Sequence, residues 1–104
     1  MSENECGLSK VMTILGGKWQ MPILWHISQH PNIRFNQLKR EVDGITNIML
    51  VRCLEKLLDF DLVKKTDFKT VPPHVEYALT DKGEALMPFL YDINTWRKEF
   101  NFNL

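Results

Sequence analysis

The strongest constraint on the fold is a pair of helical stretches that meet at the tight turn Asp43-Gly44. The first stretch begins at Asn36, a good N-cap residue, and runs to Val42. The second begins behind Thr46, and its apolar residues fall within one arc at steps of about 100° per residue: Leu50, Leu54, Leu57 and Leu58. The opposite arc holds Ile48, Arg52, Glu55 and Asp59. Two helices joined by a turn of about three or four residues that contains Gly predict a helix-turn-helix.

Two predicted strands follow directly, over residues 63–68 and 74–79. The second strand alternates cleanly, with Val75, Tyr77 and Leu79 on one face. Between them lies Pro72-Pro73, and because successive prolines lack ladder donors, this segment is expected at the tip of a hairpin. A helix-turn-helix followed at once by a hairpin is the winged-helix arrangement, in which the second helix enters the major groove of DNA and the hairpin reaches the flanking backbone. The sequence therefore predicts a mainly α fold with a small β-hairpin wing.

Two further helices precede this unit. Apolar residues recur at helical spacing up to Leu15, and Gly16-Gly17 ends the first helix. The second helix covers residues 19–28, where apolar residues lie almost all round and predict burial on more than one side. His30-Pro31-Asn32 ends it, and residues 33–35 are expected to form a short extended piece.

A C-terminal helix capped by Thr80 carries an apolar seam larger than a chain of this length can readily cover. Its members are Leu86, Phe89, Leu90, Ile93, Trp96 and Phe100. The pattern favours a symmetric homodimer that is joined through the N- and C-terminal helices, because paired winged helices also supply two half-sites. The expected interface residues are Leu8, Met12, Phe89, Ile93, Trp96 and Phe100. The alternative is that the first helices cover the seam within one chain.

Length and charge bound the class of protein. The 104 residues, 44% of them hydrophobic, suit one winged-helix domain over 1–104 and no two-domain enzyme. Thirteen Lys plus Arg balance thirteen Asp plus Glu, so a nucleic-acid partner must be met by local charge. Residues 34–69 hold eight basic and six acidic groups, a net charge of +2, whereas residues 76–104 hold three and five, a net charge of −2. This segregation suits double-stranded DNA as a partner, although a solvated mixed-charge surface gives similar counts.

The candidate DNA-binding residues fall into two groups. Asn47 and Arg52 can make paired contacts with adenine and guanine edges, and Ile48 and Val51 can meet thymine methyl groups. With Thr46, these residues are expected to read the major groove. The residues expected to touch phosphate are Arg34, Lys39, Lys65, Lys69 and His74. The competing interpretation of the second helix is a merely solvent-exposed surface.

Several other classes of protein find no support. The polar, acidic N-terminus is not a signal peptide, and no apolar run is long enough to span a bilayer, so we expect a cytoplasmic protein that does not contact a membrane. His26, His30 and His74 are too scattered for metal-ligand spacing, and His26 is interpreted as a core residue. There is no Gly-rich phosphate loop, acid–base pair or nucleophile motif. We therefore expect no enzyme, no metal and no organic cofactor.

The two cysteines differ in their surroundings. Cys53 lies on the flank of the buried arc and is interpreted as a packing thiol. Cys6 lies just ahead of the first helix, whose dipole can lower a thiol pKa, although Glu3 and Glu5 oppose that effect. Either a reactive or an inert Cys6 is compatible with this chemistry.

Several motifs resemble the HxlR-type, MarR-like winged-helix transcriptional regulators over nearly the whole chain. They are residues 14–19 (ILGGKW), 34–38 (RFNQL), 44–46 (GIT), 49–50 (ML) and 71–80 (VPPHVEYALT), with Gly83 and with Trp96 at the place of a family tryptophan. The resemblance implies a homodimeric repressor or activator on a pseudo-palindromic operator. It also implies that Cys6 occupies a position where many members carry a cysteine, which in some of them senses quinones, aldehydes or hypochlorite.

The chain departs from the family pattern at positions that matter for binding and for the backbone. Many members have a basic residue in place of Ile48 and Thr or Ser in place of Val51, so the operator sequence does not carry over. Phe60-Asp61 replaces an Asp-Gly pair, and Asp61 is expected to adopt a left-handed conformation at some cost. Two alternatives stay open, a winged helix used as a protein-interaction module and a regulator that responds to a non-covalent ligand.

Overall fold

The computed structural model describes residues 7–100, so the expectations for Cys6 lie outside the described residues. Within these residues, five helices and three strands follow one another. In order they are α1 (Gly7–Leu15), α2 (Gln20–Gln29), β1 (Ile33–Arg34), α3 (Phe35–Glu41), α4 (Asn47–Asp59), β2 (Val63–Asp67), β3 (Val75–Leu79) and α5 (Asp81–Glu99). Helix-turn-helix (α3 and α4), wing (β2 and β3) and flanking helices all lie where the sequence predicts them, which confirms the winged-helix fold.

The wing belongs to a three-stranded antiparallel sheet with the order β1-β3-β2. The expected hairpin of two strands was incomplete, because the extended piece before α3 pairs with β3. Ile33 lies opposite Tyr77 and Arg34 lies opposite Glu76. A strand of two residues is too short to show alternation, so only the buried Ile33 distinguishes it. The pairing attaches the start of α3 to the base of the wing.

Helix caps follow the sequence at two places and depart from it at a third. The hydroxyl groups of Thr46 and Thr80 accept hydrogen bonds from the backbone amides of Met49 and Gly83, as N-cap residues do. The donor–acceptor distance is 3.1 Å in both bonds. Asn36 is not the cap of α3 as expected, because it lies inside the first turn. Arg34 occupies the cap position without a side-chain hydrogen bond, since β1 runs directly into the helix.

A single core fills the space between α2, α3, α4, the sheet and the first half of α5. Its fully buried side chains include Ile23, Leu24, Ile33, Leu38, Leu50 and Leu57. Cys53 is buried among them, which confirms its interpretation as a packing thiol. Gly44, at the turn between α3 and α4, has a φ of 88°, a left-handed conformation that glycine adopts without steric cost.

The seam on α5 is only partly covered within the chain. Met87 and Leu90 are buried, and the Tyr91 ring packs at a tilt of 58° against Trp25 of α2, with ring centroids 4.7 Å apart. Other apolar side chains stay exposed. On α5 and at its C-cap they are Phe89, Ile93, Trp96 and Phe100, and on α1 they are Leu8, Val11 and Met12. The first helices therefore cover only part of the α5 seam. Within residues 7–100, no helix is both long and apolar enough to cross a membrane.

Candidate nucleic-acid interface

The outward side of α4 carries a patch that we call the α4 face, formed by Asn47, Ile48, Val51, Arg52 and Glu55. These side chains line one shallow depression of about 360 Å³. Ile48 is 66% exposed although it is β-branched and apolar. Four of the five predicted groove-reading residues thus lie together, and Glu55 joins them as a residue that sequence reasoning did not select. The fifth, Thr46, lies at the N-cap, where its hydroxyl group is engaged by the Met49 amide.

The α4 face is held outward by the opposite side of the same helix. Leu50, Leu54 and Leu57 are buried in the core at spacings of three and four residues. Because these anchors fix the rotation of α4 about its axis, Asn47, Val51 and Arg52 must point to solvent. The helix therefore presents amide, guanidinium and methyl groups as one rigid surface.

The wing adds exposed basic side chains at the side of the α4 face. Lys65 lies on β2 opposite Tyr77, and its side chain is exposed. Lys69 has a left-handed φ of 57°. Its backbone amide donates a hydrogen bond to Oδ1 of Asp67, with a donor–acceptor distance of 2.9 Å. Neither lysine forms an ion pair with a carboxylate from residues 7–100. At the tip, Val71 is 98% exposed and precedes the cis proline Pro72.

His74 is oriented by two neighbours at the base of the wing. Its Nε2 atom lies 2.7 Å from Oε2 of Glu76, and its ring centroid lies 4.5 Å from that of Phe68. The imidazole is half-buried between them. The predicted phosphate contact of His74 thus competes with a carboxylate already at hydrogen-bond distance.

A second depression lies between the start of α3 and the wing, and we call it the α3–wing groove. It has a volume of about 420 Å³. Its lining residues are Arg34, Phe35, Asn36, Gln37, Arg40, Pro73 and Val75. Sequence reasoning selected Arg34 and the neighbouring Lys39, but Lys39 does not line the groove, whereas Arg40 does. The missed signal is the helical spacing of Asn36 and Arg40, which places both side chains on one face of α3.

A third depression connects these two surfaces. It contains Val51 and Glu55 of the α4 face together with Phe35 and Val75 of the α3–wing groove. Lys65 also lines it, and its volume is about 340 Å³. The concave surface therefore continues without a break from α4, past β2, to the start of α3.

Two of the histidines face the same carboxylate group. His26 Nδ1 lies 3.8 Å and His30 Nε2 lies 3.6 Å from the same atom, Oε1 of Glu41. His26 is half-buried at this contact between α2 and α3, so its interpretation as a core residue was wrong. Within the described ranges, no group of His, Cys, Asp and Glu side chains is arranged to hold a metal ion.

The thiol of Cys53 is poorly suited to reaction. Burial raises the pKa of this thiol above its ordinary value, and the opposing effect of Lys56 is smaller. The nucleophilic thiolate is therefore scarce near neutral pH.

An apolar hollow of about 500 Å³ lies between α2 and α5. Met21, Trp25, Leu90 and Ile93 supply most of its walls, and Asn94 and Arg97 stand at its edge. Arg97 donates hydrogen bonds to Oδ1 of Asn94 from both Nε and a terminal nitrogen, and the donor–acceptor distance is 3.3 Å in each bond. The hollow adjoins the exposed part of the α5 seam through Ile93.

Similar proteins agree with this architecture. The family model of HxlR-like helix-turn-helix proteins matches residues 14–103. The regulatory protein MalR of Fusobacterium mortiferum is 39% identical over 95 residues, which cover 91% of this chain and 90% of that protein. An HTH-type transcriptional regulator of Halalkalibacterium halodurans is 40% identical over 85 residues, which cover 82% of this chain and 75% of that protein.

Solved structures show the same fold. A MarR-family regulator from Porphyromonas gingivalis superposes with a TM-score of 0.83 at 38% identity, covering 95% of this chain and 96% of that one. The oxidized form of the redox regulator HypR superposes with a TM-score of 0.85 at 31% identity, covering 95% of this chain and 100% of that one. These relatives are transcriptional regulators and not enzymes, in agreement with the sequence expectation. The chain belongs to the HxlR-like helix-turn-helix family of DNA-binding transcriptional regulators.

Proposed function

We propose that residues 1–104 act as one winged-helix domain that binds a pseudo-palindromic operator as a homodimer. The observation that carries this proposal is the α4 face, where two β-branched apolar residues are exposed beside an amide and a guanidinium group. Amide and guanidinium groups suit the hydrogen-bonding edges of adenine and guanine, and apolar groups suit the methyl group of thymine. Thr46, Asn47, Ile48, Val51 and Arg52 would read the bases.

Phosphate contacts would fix the register of each subunit on the duplex. Lys65 and Lys69 reach solvent from the wing without a carboxylate partner among the described residues, and Arg34 does so from β1. Lys39 and His74 complete the proposed set. These contacts make affinity depend steeply on salt, because each neutralised phosphate releases counterions.

The exposed apolar residues of α1 and α5 support the homodimer. Phe89 and Trp96 are 64% and 52% exposed in the single chain, and Leu8, Met12, Ile93 and Phe100 are exposed as well. A second copy that covers these side chains would remove them from water and set the distance between two α4 helices. The proposed interface therefore sets the spacing of the half-sites.

Cys6 would provide regulation by electrophiles or oxidants. The similarity to a regulator named for redox function supports this role, and the burial of Cys53 argues against the other thiol. With a quinone, the Cys6 thiol adds across a ring carbon–carbon double bond: the sulfur bonds to one ring carbon, and the electrons of the opened double bond reduce the ring to a hydroquinone. Its two oxygens take up one proton from the thiol and one from the attacked carbon. With hypochlorous acid, two Cys6 thiols from different subunits lose two electrons and two protons, giving a disulfide, chloride, a proton and water.

One titration tests DNA binding against use as a protein-interaction module. Random-sequence DNA is titrated at two salt concentrations, and a steep loss of affinity at the higher salt is expected. Little or no binding at either concentration would contradict the proposal. Footprinting on DNA that flanks the protein's own gene then identifies the operator. A protected site with two related halves about one helical turn apart would support the dimer.

A further inference from the structure

We propose that Glu55 is a specificity-determining residue of the α4 face, whose carboxylate accepts a hydrogen bond from the amino group of a cytosine in the major groove. This inference rests on the proposed function and deepens it, because Glu55 is not among the residues that the proposed function assigns to base reading. It adds a selection against operators that lack a cytosine at one position of each half-site.

Glu55 lies on the same side of α4 as the residues proposed to read bases. It is exposed, and it lines the same depression as Asn47, Ile48, Val51 and Arg52. At a rise of about 1.5 Å per residue, Glu55 stands about 4.5 Å beyond Arg52 along the helix axis, a distance similar to the spacing of about 3.4 Å between successive base pairs. A helix placed with Arg52 against a guanine therefore brings Glu55 within reach of the same base pair or the next one.

The carboxylate of Glu55 has no partner among the described residues. The ion pairs within residues 7–100 involve the carboxylates of Glu41, Glu76 and Asp61, and Glu55 forms neither an ion pair nor a hydrogen bond there. Arg52 lies about one turn earlier on the same helix and does not pair with it. The two acceptor oxygens are therefore available to a ligand on the surface that is proposed to contact DNA.

A free carboxylate on this surface restricts which groups of DNA can approach it. A carboxylate only accepts hydrogen bonds, so it repels phosphate oxygens and the acceptor atoms of bases. The donors that DNA offers in the major groove are the amino groups of cytosine and adenine. In adenine the amino group stands beside the N7 acceptor, whereas cytosine presents no acceptor on its major-groove edge. Cytosine therefore suits Glu55, and its paired guanine offers the acceptors that suit Arg52.

A competing role for Glu55 is to position Lys65. Both side chains line the third depression, but they form no ion pair across it. If Glu55 acted by holding Lys65, its loss would change the affinity for all DNA sequences by one factor. A contact with cytosine instead changes the affinity at one base pair. The two roles therefore differ in how the effect depends on DNA sequence.

The test compares Glu55→Gln with the matched control Glu84→Gln, which makes the same change on the exposed first turn of α5. Affinities are measured in the intact protein for random-sequence DNA and for a panel of operators in which each base pair is replaced in turn. For the wild type we expect one G·C pair in each half-site where replacing the cytosine lowers the affinity on the order of tenfold. Glu55→Gln should lose this preference and favour adenine there, because a glutamine amide pairs with the adenine edge. Glu84→Gln should keep the wild-type preferences.

A second variant, Glu55→Asp, separates the reach of the side chain from its charge. It keeps the carboxylate but shortens the side chain by one methylene group, so the preference for cytosine should weaken. The salt dependence should stay that of the wild type, because no phosphate contact is gained or lost. Since Glu55 is exposed, thermal unfolding curves close to that of the wild type confirm that both variants are folded.

Each alternative result has a defined meaning. If Glu55→Gln had the base preferences of the wild type at every position, this inference would be overturned and the proposed function would stay intact. A change by one factor across operators and random-sequence DNA would also overturn it, because Glu55 would then act through Lys65 or through its charge alone. A wild type that bound no DNA at any salt concentration would overturn the proposed function and this inference together.

Discussion

The hydroxyl group of Thr80 donates a hydrogen bond of 2.6 Å to the backbone carbonyl oxygen of Asp61. This bond ties the start of α5 to the turn that follows α4, and the Thr80 amide adds a bond of 3.1 Å to the carbonyl of Leu62. Asp61 adopts a left-handed φ of 61°, as the replacement of Asp-Gly by Phe60-Asp61 predicted. The turn therefore holds a non-glycine residue in a conformation that favours glycine.

Asp61→Gly should stabilise the fold. It removes a left-handed cost that exceeds the added entropy of glycine in the unfolded chain, so we expect a gain of about 0.5–1 kcal/mol in the free energy of unfolding. The variant also loses the ion pair between Asp61 Oδ2 and Lys82 Nζ, which are 3.9 Å apart. Because both side chains are exposed to solvent, this pair contributes little to stability. Urea unfolding measures the change. Asp59→Gly, at the last residue of α4, is the control and should destabilise; a loss of stability in Asp61→Gly would contradict the prediction.

Arg52→Ala should weaken the preference for operator over random-sequence DNA. The loss of a paired contact with a base costs about 1–3 kcal/mol, and binding to random DNA should change much less. Competition binding with operator variants measures the preference, and Arg97→Ala serves as the control. Normal operator binding by Arg52→Ala would mean that the α4 face is not the recognition surface.

Lys65→Ala and Lys69→Ala should act on all DNA sequences alike. Each variant loses one proposed phosphate contact, so the slope of affinity against salt should fall by about one. Fluorescence anisotropy with operator and random DNA at several salt concentrations gives both slopes. An effect that depends on the DNA sequence would show that the wing reads bases.

Phe89→Ala combined with Trp96→Ala should produce a folded monomer. Both side chains are more than half exposed in the single chain, so their truncation removes interface area and leaves the core intact. Sedimentation velocity at micromolar concentration measures the association state, and circular dichroism checks the fold. Leu90→Ala is the contrasting variant, because Leu90 is buried and its truncation should cost about 2–5 kcal/mol of folding stability. A wild-type monomer would contradict the dimer.

Cys6 should react faster than Cys53 with a thiol reagent near neutral pH. Burial raises the pKa of Cys53, so the folded protein favours its protonated, unreactive thiol. By linkage, the free energy of unfolding is unaffected by this thiol below its unfolded pKa and decreases as the pH rises from there through the folded pKa. Mass spectrometry after brief quinone or hypochlorite treatment locates the adduct, with operator affinity measured in parallel. Cys6→Ser should lose the response. An equal change in operator affinity in the wild type and in Cys6→Ser, or labelling of Cys53 alone, would exclude Cys6 as the sensor.

Local patterns predicted the helices and the wing, whereas contacts between distant segments could not be predicted. The burial of Leu50 and Leu54 follows directly from helical spacing. Whether Lys39 or Arg40 lines the α3–wing groove depends on the rotation of α3 about its axis. The burial of Leu38 and the pairing of β1 with β3 determine that rotation together. The Glu41 contacts with His26 and His30 likewise require α2 and α3 to be packed, and no periodicity within either helix indicates them.

The pairing of β1 with β3 also limits how a regulatory signal can act. A change in the angle between α3 and the wing would break backbone hydrogen bonds of the sheet, so in each chain α3 and the wing form one rigid body. In the proposed dimer, the remaining freedom is the distance and angle between two such bodies. An inducer at the subunit boundary would then alter the match to the operator's helical repeat without changing any single contact surface.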